Sequence, residues 1–191
     1  MADSNEVRVG TKGAFVVAPV GTTAPTTPYD AWGTGWVDLG YGTQDGLTES
    51  LNENRQTFDA WGETQPILTI VTSRQTQFKI NLEQTNAWTL ALYHGIDIAD
   101  MTSSGSADTQ FLSFNEPHTP EPQYYAIGAD VFDQQGRPIR IVVARAEVTD
   151  KGDRSYKADT VAGFELTFSS LSAPGGASSI TRMFGQVALP A

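Results

Sequence analysis

The clearest feature of the chain is a strict alternation of apolar and polar residues between positions 75 and 83. Phe78, Ile80 and Leu82 fall on one face of an extended chain, because strand side chains point to opposite sides at successive positions. This stretch therefore predicts a β-strand with one face in a core and the other in water. Residues 164–169 show the same alternation and predict a second strand of this kind.

Turn residues divide the chain between positions 48 and 83 into short segments of β character. The predicted turns lie at residues 52–54 and 62–66, where Asn, Gly and Pro interrupt the apolar pattern. The dipeptide Asp45–Gly46, just before this region, is a further hairpin signal. These positions predict several short antiparallel strands.

A second hairpin is predicted around residues 133–137. The Asp133 side chain can cap such a turn through the backbone, and Gly136 can adopt the positive φ that the turn needs. A further turn at residues 150–153 leads into another strand segment. This part of the chain is therefore expected to form a three-stranded meander.

The middle strand of this meander is apolar on both faces. One face carries Ile139, Ile141 and Val143, and the other carries Val142, Ala144, Ala146 and Val148. A strand of this composition is covered on two sides, by its own core and by a helix, another sheet or another subunit.

A helix is predicted for residues 84–95, where the apolar period changes from two to about 3.6. Its apolar positions are Trp88, Ala91 and Leu92. Thr85 is the expected N-cap and Gly95 the expected terminator. Because the apolar stripe is narrow, the helix is expected to lie on a sheet and cover it.

The two ends of the chain are expected to be arms around one central domain. Residues 1–35 are rich in Pro, Gly and Thr and predict one short strand followed by an extended arm. Residues 36–171 form the predicted β domain, and residues 172–191 the predicted C-terminal arm. Trp32 and Trp36 are costly to leave in water, so we expect a cover for both.

The composition bears on the kinds of partner. Twenty-two acidic and 12 basic residues give a formal charge of −10, which disfavours binding to phosphate backbones and anionic lipids. The chain has no Cys, so disulfides and thiolate metal sites are excluded. No secretory leader and no membrane insertion are expected, because the apolar runs are short.

Catalytic and metal-binding patterns are not evident. His94 lies near Asp97 and Asp100, yet one His at a helix end supplies only one ligand, so a helix C-terminal role is favoured over a metal site. His118 is expected at the surface. No Gly-x-Ser-x-Gly elbow occurs, and paired acids arise by chance in an acidic chain. We therefore expect no enzyme activity, no catalytic or metal-binding residues and no cofactor.

Several motifs resemble the major tail tube proteins of long-tailed bacteriophages. They are a W-x-x-L-G-Y strand at residues 36–41, a D-G-L-T turn at 45–48, an A-W-G at 60–62, an F-K-I-N-L-E strand at 78–83 and the segment NAWTLALYHG at 86–95. The resemblance covers residues 13–95 well and is carried further by strand order and by the GFELTFSSL run.

The resemblance implies a mainly β fold, a β-sandwich or half-barrel with one flanking helix. It also implies six-fold rings in which the strands of all copies close an inner β-barrel, and stacking of these rings into a hollow tube. The expected partners are identical subunits, other tail proteins including a tape measure, and DNA that passes through the lumen without specific binding. The expected location is the virion, with assembly in the host cytoplasm.

Two sets of residues are assigned roles on this basis. The residues expected to line the lumen are Gln75, Gln77, Asn81 and Glu83, although Lys79 lies on the same face and the face alternatively meets outside solvent. The residues expected to contact other subunits or rings are Trp32, Trp36, Tyr41, Asp45, Gly46 and Trp61.

Other functions remain open at this point. One is a different phage structural part, such as a tail terminator or a head decoration protein, which differs by forming a single closed ring rather than an open stack. Another is a carbohydrate-binding β-sandwich, in which exposed Trp32 and Trp61 form a sugar platform. That protein would bind glycans as a monomer.

Overall fold

A computed structural model describes residues 6–173 and 178–187 of the chain. Within these residues the strands are β1 (Gly10–Pro19), β2 (Val37–Asp38), β3 (Gly42–Phe58), β4 (Leu68–Leu82), β5 (Thr102–Ser104), β6 (Phe111–Ser113), β7 (Tyr124–Asp133), β8 (Pro138–Lys151), β9 (Phe164–Ser170) and β10 (Ile180–Phe184). The helix α1 is Ala87–His94. The expected C-terminal arm includes residues 174–177 and 188–191, which lie outside the described part.

Eight strands form one antiparallel sheet in the order β2-β1-β7-β8-β9-β4-β3, with β10 paired to β8. The strand β8 is long enough to hold two partners on one edge: β10 lies along Ile139–Val143, and β9 lies along Ala146–Lys151. The strands β5 and β6 form a separate small ladder. The predicted meander is thus β7, β8 and β9.

The sheet curls around its core. Gly42 of β3 lies against the Phe15 ring of β1, although these two strands are far apart in the sheet order. The curled face encloses Phe78, Leu82 and Phe168 together with other apolar side chains. The predicted mainly β fold with one flanking helix is confirmed. A closed inner barrel needs strands from further copies and stays a prediction.

The N-cap of the helix lies one residue later than predicted, at Asn86 rather than Thr85. The Asn86 Oδ1 atom accepts a hydrogen bond from the Thr89 N–H at 2.9 Å, and its Nδ2 donates to the Leu39 carbonyl at 3.0 Å. The amide of Asn86 has separate donor and acceptor atoms, so it caps the helix and ties it to the loop after β2 at the same time. The predicted terminator Gly95 is confirmed, with φ of 69°.

α1 packs Leu92 into the core beside Leu82 and Phe164. It is eight residues long. Across the described ranges, 6–173 and 178–187, no helix is both long and apolar enough to cross a membrane.

Both faces of β8 are covered up to Val143, but the predicted faces are wrong beyond it. Ala146 and Val148 lie on the core side because the register with β7 shifts, and Ala144 is exposed. One face lies in the core, and the other lies under the N-terminal arm of the same chain. The Trp32 ring lies directly over Gly128 of β7, so closely that a Cβ at Gly128 would collide with it. Val142 of β8 pairs with Gly128 and is buried on this side. The arm therefore supplies the second cover.

A buried ion pair fixes this arm to the sheet. Arg140 and Asp130 form two hydrogen bonds, from Nε at 2.6 Å and from Nη2 at 2.8 Å. The remaining Arg140 nitrogen, Nη1, donates to the carbonyls of Thr27 and Asp30, and Trp32 donates from Nε1 to Asp130 at 2.7 Å. The pair is thus fully hydrogen-bonded, as burial of charge requires.

The predicted turn at residues 133–137 is confirmed, including the positive φ of Gly136. Asp133 accepts hydrogen bonds from the backbone N–H groups of Gln135 and Arg137 and from the Arg137 guanidinium. Burial by itself would raise the pKa of the Asp133 carboxyl. The hydrogen bonds and the charge of Arg137 outweigh burial and hold the pKa of Asp133 below its ordinary value.

Two turn predictions in the β3 region are wrong. Residues 52–54 lie inside β3, which continues without a turn to Phe58. Asp45–Gly46 is not a hairpin turn but part of an irregularity inside β3, where the register with β4 shifts between Gly42 and Leu47. Gly46 there has φ of 67°. The polar residues at 52–54 tolerate a strand because both faces of the strand are in water.

Asp130→Ala is expected to lower the free energy of unfolding by about 3–5 kcal/mol, because it leaves the Arg140 charge buried without its partner. Urea denaturation measures the loss. The matched control is Asp150→Ala, an exposed carboxylate on β8 whose removal is expected to cost less than about 0.5 kcal/mol. Equal costs for the two variants would contradict the role of the buried pair.

The turn carboxylate Asp133 predicts a pH dependence. Its pKa is lower in the folded than in the unfolded chain, so its contribution to stability is complete above the unfolded pKa of roughly 4 and is lost as the pH falls through the folded pKa. Urea midpoints of the wild type and Asp133→Asn should therefore differ most at neutral pH and converge in acid. A difference that does not change with pH would refute the assignment.

Candidate assembly surfaces

The outer parts of β3 and β4 form a two-stranded ribbon. β9 pairs only with Gln77–Leu82 of β4, whereas β3 pairs with β4 as far as Phe58 and Leu68. Residues 50–75 of this hairpin are exposed on both faces apart from the loop residue Ala60. An isolated two-stranded hairpin is marginally stable in water, because it has no core of its own. The ribbon therefore has the form of an element that is completed by a partner.

The ribbon exposes an unusual number of apolar side chains to water. Seven large ones are exposed: Leu51, Phe58, Trp61, Ile67, Leu68, Ile70 and Val71. Trp61, in the loop at the end, is fully exposed. Exposed apolar side chains concentrated in this way mark an interaction site.

The apolar side chains concentrate toward the tip. Phe58 lies directly opposite Leu68, and Gln56 lies opposite Ile70. Directly paired residues of an antiparallel ladder share a face, so Phe58, Leu68 and Ile70 lie together on one side. We call residues 58–70 the ribbon tip.

The same face is polar and uncharged closer to the body. Its cross-strand pairs are Ser50 with Gln77, Asn52 with Gln75 and Asn54 with Ser73. Asn54 donates from Nδ2 to the Ser73 hydroxyl at 2.9 Å, and Gln77 donates from Nε2 to the Ser169 hydroxyl at 3.1 Å. We call these six paired residues the amide face. It presents amides and hydroxyls and carries no charge.

The residues predicted to line a lumen share one strand face but not one environment. Gln75 and Gln77 belong to the amide face. Asn81 is half-buried and Glu83 lies beyond the end of β4. Lys79, the positively charged residue on this strand face, forms an ion pair with Glu165 at 2.9 Å. Whether this face lines a lumen stays a prediction.

The residues predicted to contact other subunits fall into two groups. Trp32 and Trp36 pack against each other with ring centroids 4.6 Å apart, and Trp36 donates from Nε1 to the Thr23 carbonyl at 3.0 Å. They are half-buried within their own chain. In contrast, Tyr41 and Trp61 are largely exposed. Asp45 is also exposed, and Gly46 beside it is half-exposed.

A second exposed apolar surface was not predicted from the sequence. It is formed by Val7, Val9, Tyr29, Phe184 and Val187, which we call the end patch. Three distant segments meet here: Arg8 donates from Nη2 to the Gly185 carbonyl at 2.6 Å, and Gly185 lies against the Tyr29 hydroxyl. No local pattern indicates this surface, because each segment contributes only one or two apolar residues.

An open groove of about 350 Å³ lies at the C-terminal end of α1. Burial, together with the nearby charge of Asp97, raises the pKa of the Tyr125 hydroxyl to about 12. Burial lowers the pKa of Lys151, against the opposing effect of Glu116. The raised pKa keeps the Tyr125 hydroxyl protonated even in moderately alkaline solution.

The two His residues are placed as expected. His94 is the last residue of α1, and its Nδ1 lies 2.7 Å from Glu116 Oε1. His118 is exposed. Within the described ranges, no group of three or more His, Asp or Glu side chains is arranged to hold a metal ion.

Comparison with solved structures finds a cryo-EM structure of the anti-feeding prophage cap, a tube-terminating cap. The TM-score is 0.44 and the sequence identity 12%, over 97% of this chain and 100% of that chain. Comparison with curated proteins finds no match.

Comparison with protein families matches residues 1–182 to the family described as phage tail tube protein. This match extends well past residue 95, where the motif resemblance was strongest, and it includes the ribbon and most of the end patch. The chain therefore belongs to the phage tail tube protein family.

Proposed function

We propose that the protein forms the hollow tube of a phage tail as stacked hexameric rings, and that the tube is the conduit for DNA delivery. The observation that carries this proposal is the exposed ribbon, an apolar element without a core in a single copy. Membership of the tail tube family supports a structural role in the virion. Assembly takes place in the host cytoplasm, together with a tape measure and other tail proteins.

The energetics of the ribbon favour many contacts over one. Complete burial of a Leu, Ile or Phe is worth about 1.5–3 kcal/mol, and most of the seven exposed ribbon side chains are roughly half exposed. Their burial therefore yields roughly 5–10 kcal/mol as an upper limit. Association costs about 4–15 kcal/mol. One ribbon contact is thus weak, whereas a ring that engages several ribbons at once is stable through avidity.

Unpaired strand edges also favour a ring. Among the described strands, β3 has no neighbour along its outer edge, and β10 has none on the side away from β8. Free edges expose backbone donors and acceptors and promote pairing with other chains. Closure into a barrel removes the edges.

The charge distribution suits a channel that conducts DNA without holding it. The chain carries a formal charge of −10, the amide face presents no cation, and Lys79 further along the same strand face is paired with Glu165. Phosphate contacts to Lys and Arg supply most non-specific DNA affinity, so a bore without free cations lets the duplex move. We assign the lumen to the face that carries Gln75, Gln77, Asn81 and Glu83.

Assembly is tested by negative-stain microscopy and analytical ultracentrifugation over a concentration series. The wild type is expected to form rings and tubes above a threshold concentration. A variant with residues 52–75 replaced by Asn-Gly joins Leu51 to Thr76, which lie opposite each other, and should stay monomeric with an intact core. A wild type that stays monomeric would refute the proposal, and single closed rings would favour a tail terminator.

The lumen assignment is tested by thiol labelling, since the chain has no native Cys. In assembled tubes of Gln75→Cys, a small maleimide should react while a polymer-linked maleimide too large for the bore should not. Ser104→Cys, on the exposed ladder β5–β6, is the matched control and should react with both. Equal reaction of both variants with the large reagent would place the amide face outside.

A further inference from the structure

Exposed apolar side chains concentrate at two places on the described part of the chain. Of the large ones, seven lie on the ribbon and five in the end patch. Neither surface covers the other within one copy, because both stay exposed. Two separate apolar surfaces on one protomer are the arrangement from which a head-to-tail contact is built.

The end patch is a firm surface rather than a loose end. Val9 donates from its backbone N–H to Gln134 Oε1 at 2.9 Å, and Arg137 donates from Nη2 to the Val7 carbonyl at 3.4 Å. With the bond from Arg8 to Gly185, these contacts hold the N-terminal segment against the β7–β8 turn and the end of β10. A preformed surface loses little entropy on binding.

The two surfaces differ in charge. The ribbon tip carries Asp59 and Glu63, and no Lys or Arg lies between Arg55 and Arg74. Beside the end patch lie Arg8 and Lys12, neither of which has a carboxylate within ion-pair distance among the described residues. Glu6 and the exposed Asp30 beside Tyr29 equal these two cations in number, so the end patch differs from the acidic tip by carrying local cations rather than by a net positive charge.

We propose that the ribbon tip of one copy docks on the end patch of a second copy, with Trp61 and Leu68 against the apolar side chains and Asp59 and Glu63 toward Arg8 and Lys12. The proposal rests on the assembly proposed above and names the surface that receives the ribbon. The contact is heterologous, because a different surface is used on each copy. It therefore leaves one free tip and one free patch, and the assembly can grow.

A complementation experiment tests this contact. The tip variant is Trp61→Glu with Leu68→Glu, and the patch variant is Val9→Glu with Val187→Glu, all at exposed positions. Each variant alone should fail to elongate. Because one ribbon contact is weak, pairing in a mixture is read by chemical cross-linking. The mixture should give cross-linked pairs that do not grow, because the patch variant keeps an intact tip and the tip variant keeps an intact patch.

The control is Val161→Glu, an equally exposed apolar position away from both surfaces, which should assemble like the wild type. Circular dichroism and urea midpoints confirm that each variant folds. Tubes formed by either variant alone, or no pairing in the mixture, would overturn the docking proposal. If the wild type still forms tubes in that case, the proposed tube assembly stands without it. A wild type that never associates would overturn both.

Charge reversal tests the polar part of the contact. Lys12→Glu, at an exposed position, is expected to weaken association about tenfold, since it places like charges opposite each other. Asp59→Lys with Glu63→Lys in the same chain should restore association, because identical copies then present the reversed pair. Failure of this rescue, with each variant folded, would show that these charges do not face one another.

Discussion

The strand β4 is longer than the strand that supports it, and the rest of the architecture follows from this mismatch. Its C-terminal half carries Phe78, Ile80 and Leu82 into the core beside β9. Among the described strands, its N-terminal half has only β3 for a neighbour. Since the two halves are one continuous strand, the packed half determines the direction in which the ribbon leaves the body. A rigid body and an unsupported ribbon are thus joined without a hinge loop.

The N-terminal arm is held by a different kind of interaction. A surface ion pair contributes little to stability, but Arg140 and Asp130 are buried. Arg140 also donates to the arm carbonyls, and Asp130 accepts from the Trp32 indole. This network places the Trp residues on the sheet, where they cover the outer face of β8 near Val142. The two Trp side chains are costly to leave in water, and the arm and the sheet cover each other.

Sequence periodicity was sufficient where a strand or helix has one face in the core. It located the core half of β4, the strand β9 and the helix with its terminator Gly95. It failed where both faces meet water: the polar run Asn52–Asn54 is typical of a turn, yet it lies in β3 because the cross-strand partner continues alongside. The end patch is beyond any local pattern, since it joins segments more than 100 residues apart.

The absence of a core beneath the ribbon also bears on timing. Hairpin hydrogen bonds that face water on both sides open at low free energy, so in a free subunit the ribbon is the region most prone to local opening. Ordering the ribbon on contact costs conformational entropy, which reduces the free energy gained by burying its apolar side chains. The first contact between two subunits is therefore disfavoured, while addition to an existing ring, which engages several ribbons, is not. Such a subunit can accumulate in solution below its threshold concentration, and it adds more readily to an existing ring than to a second free subunit.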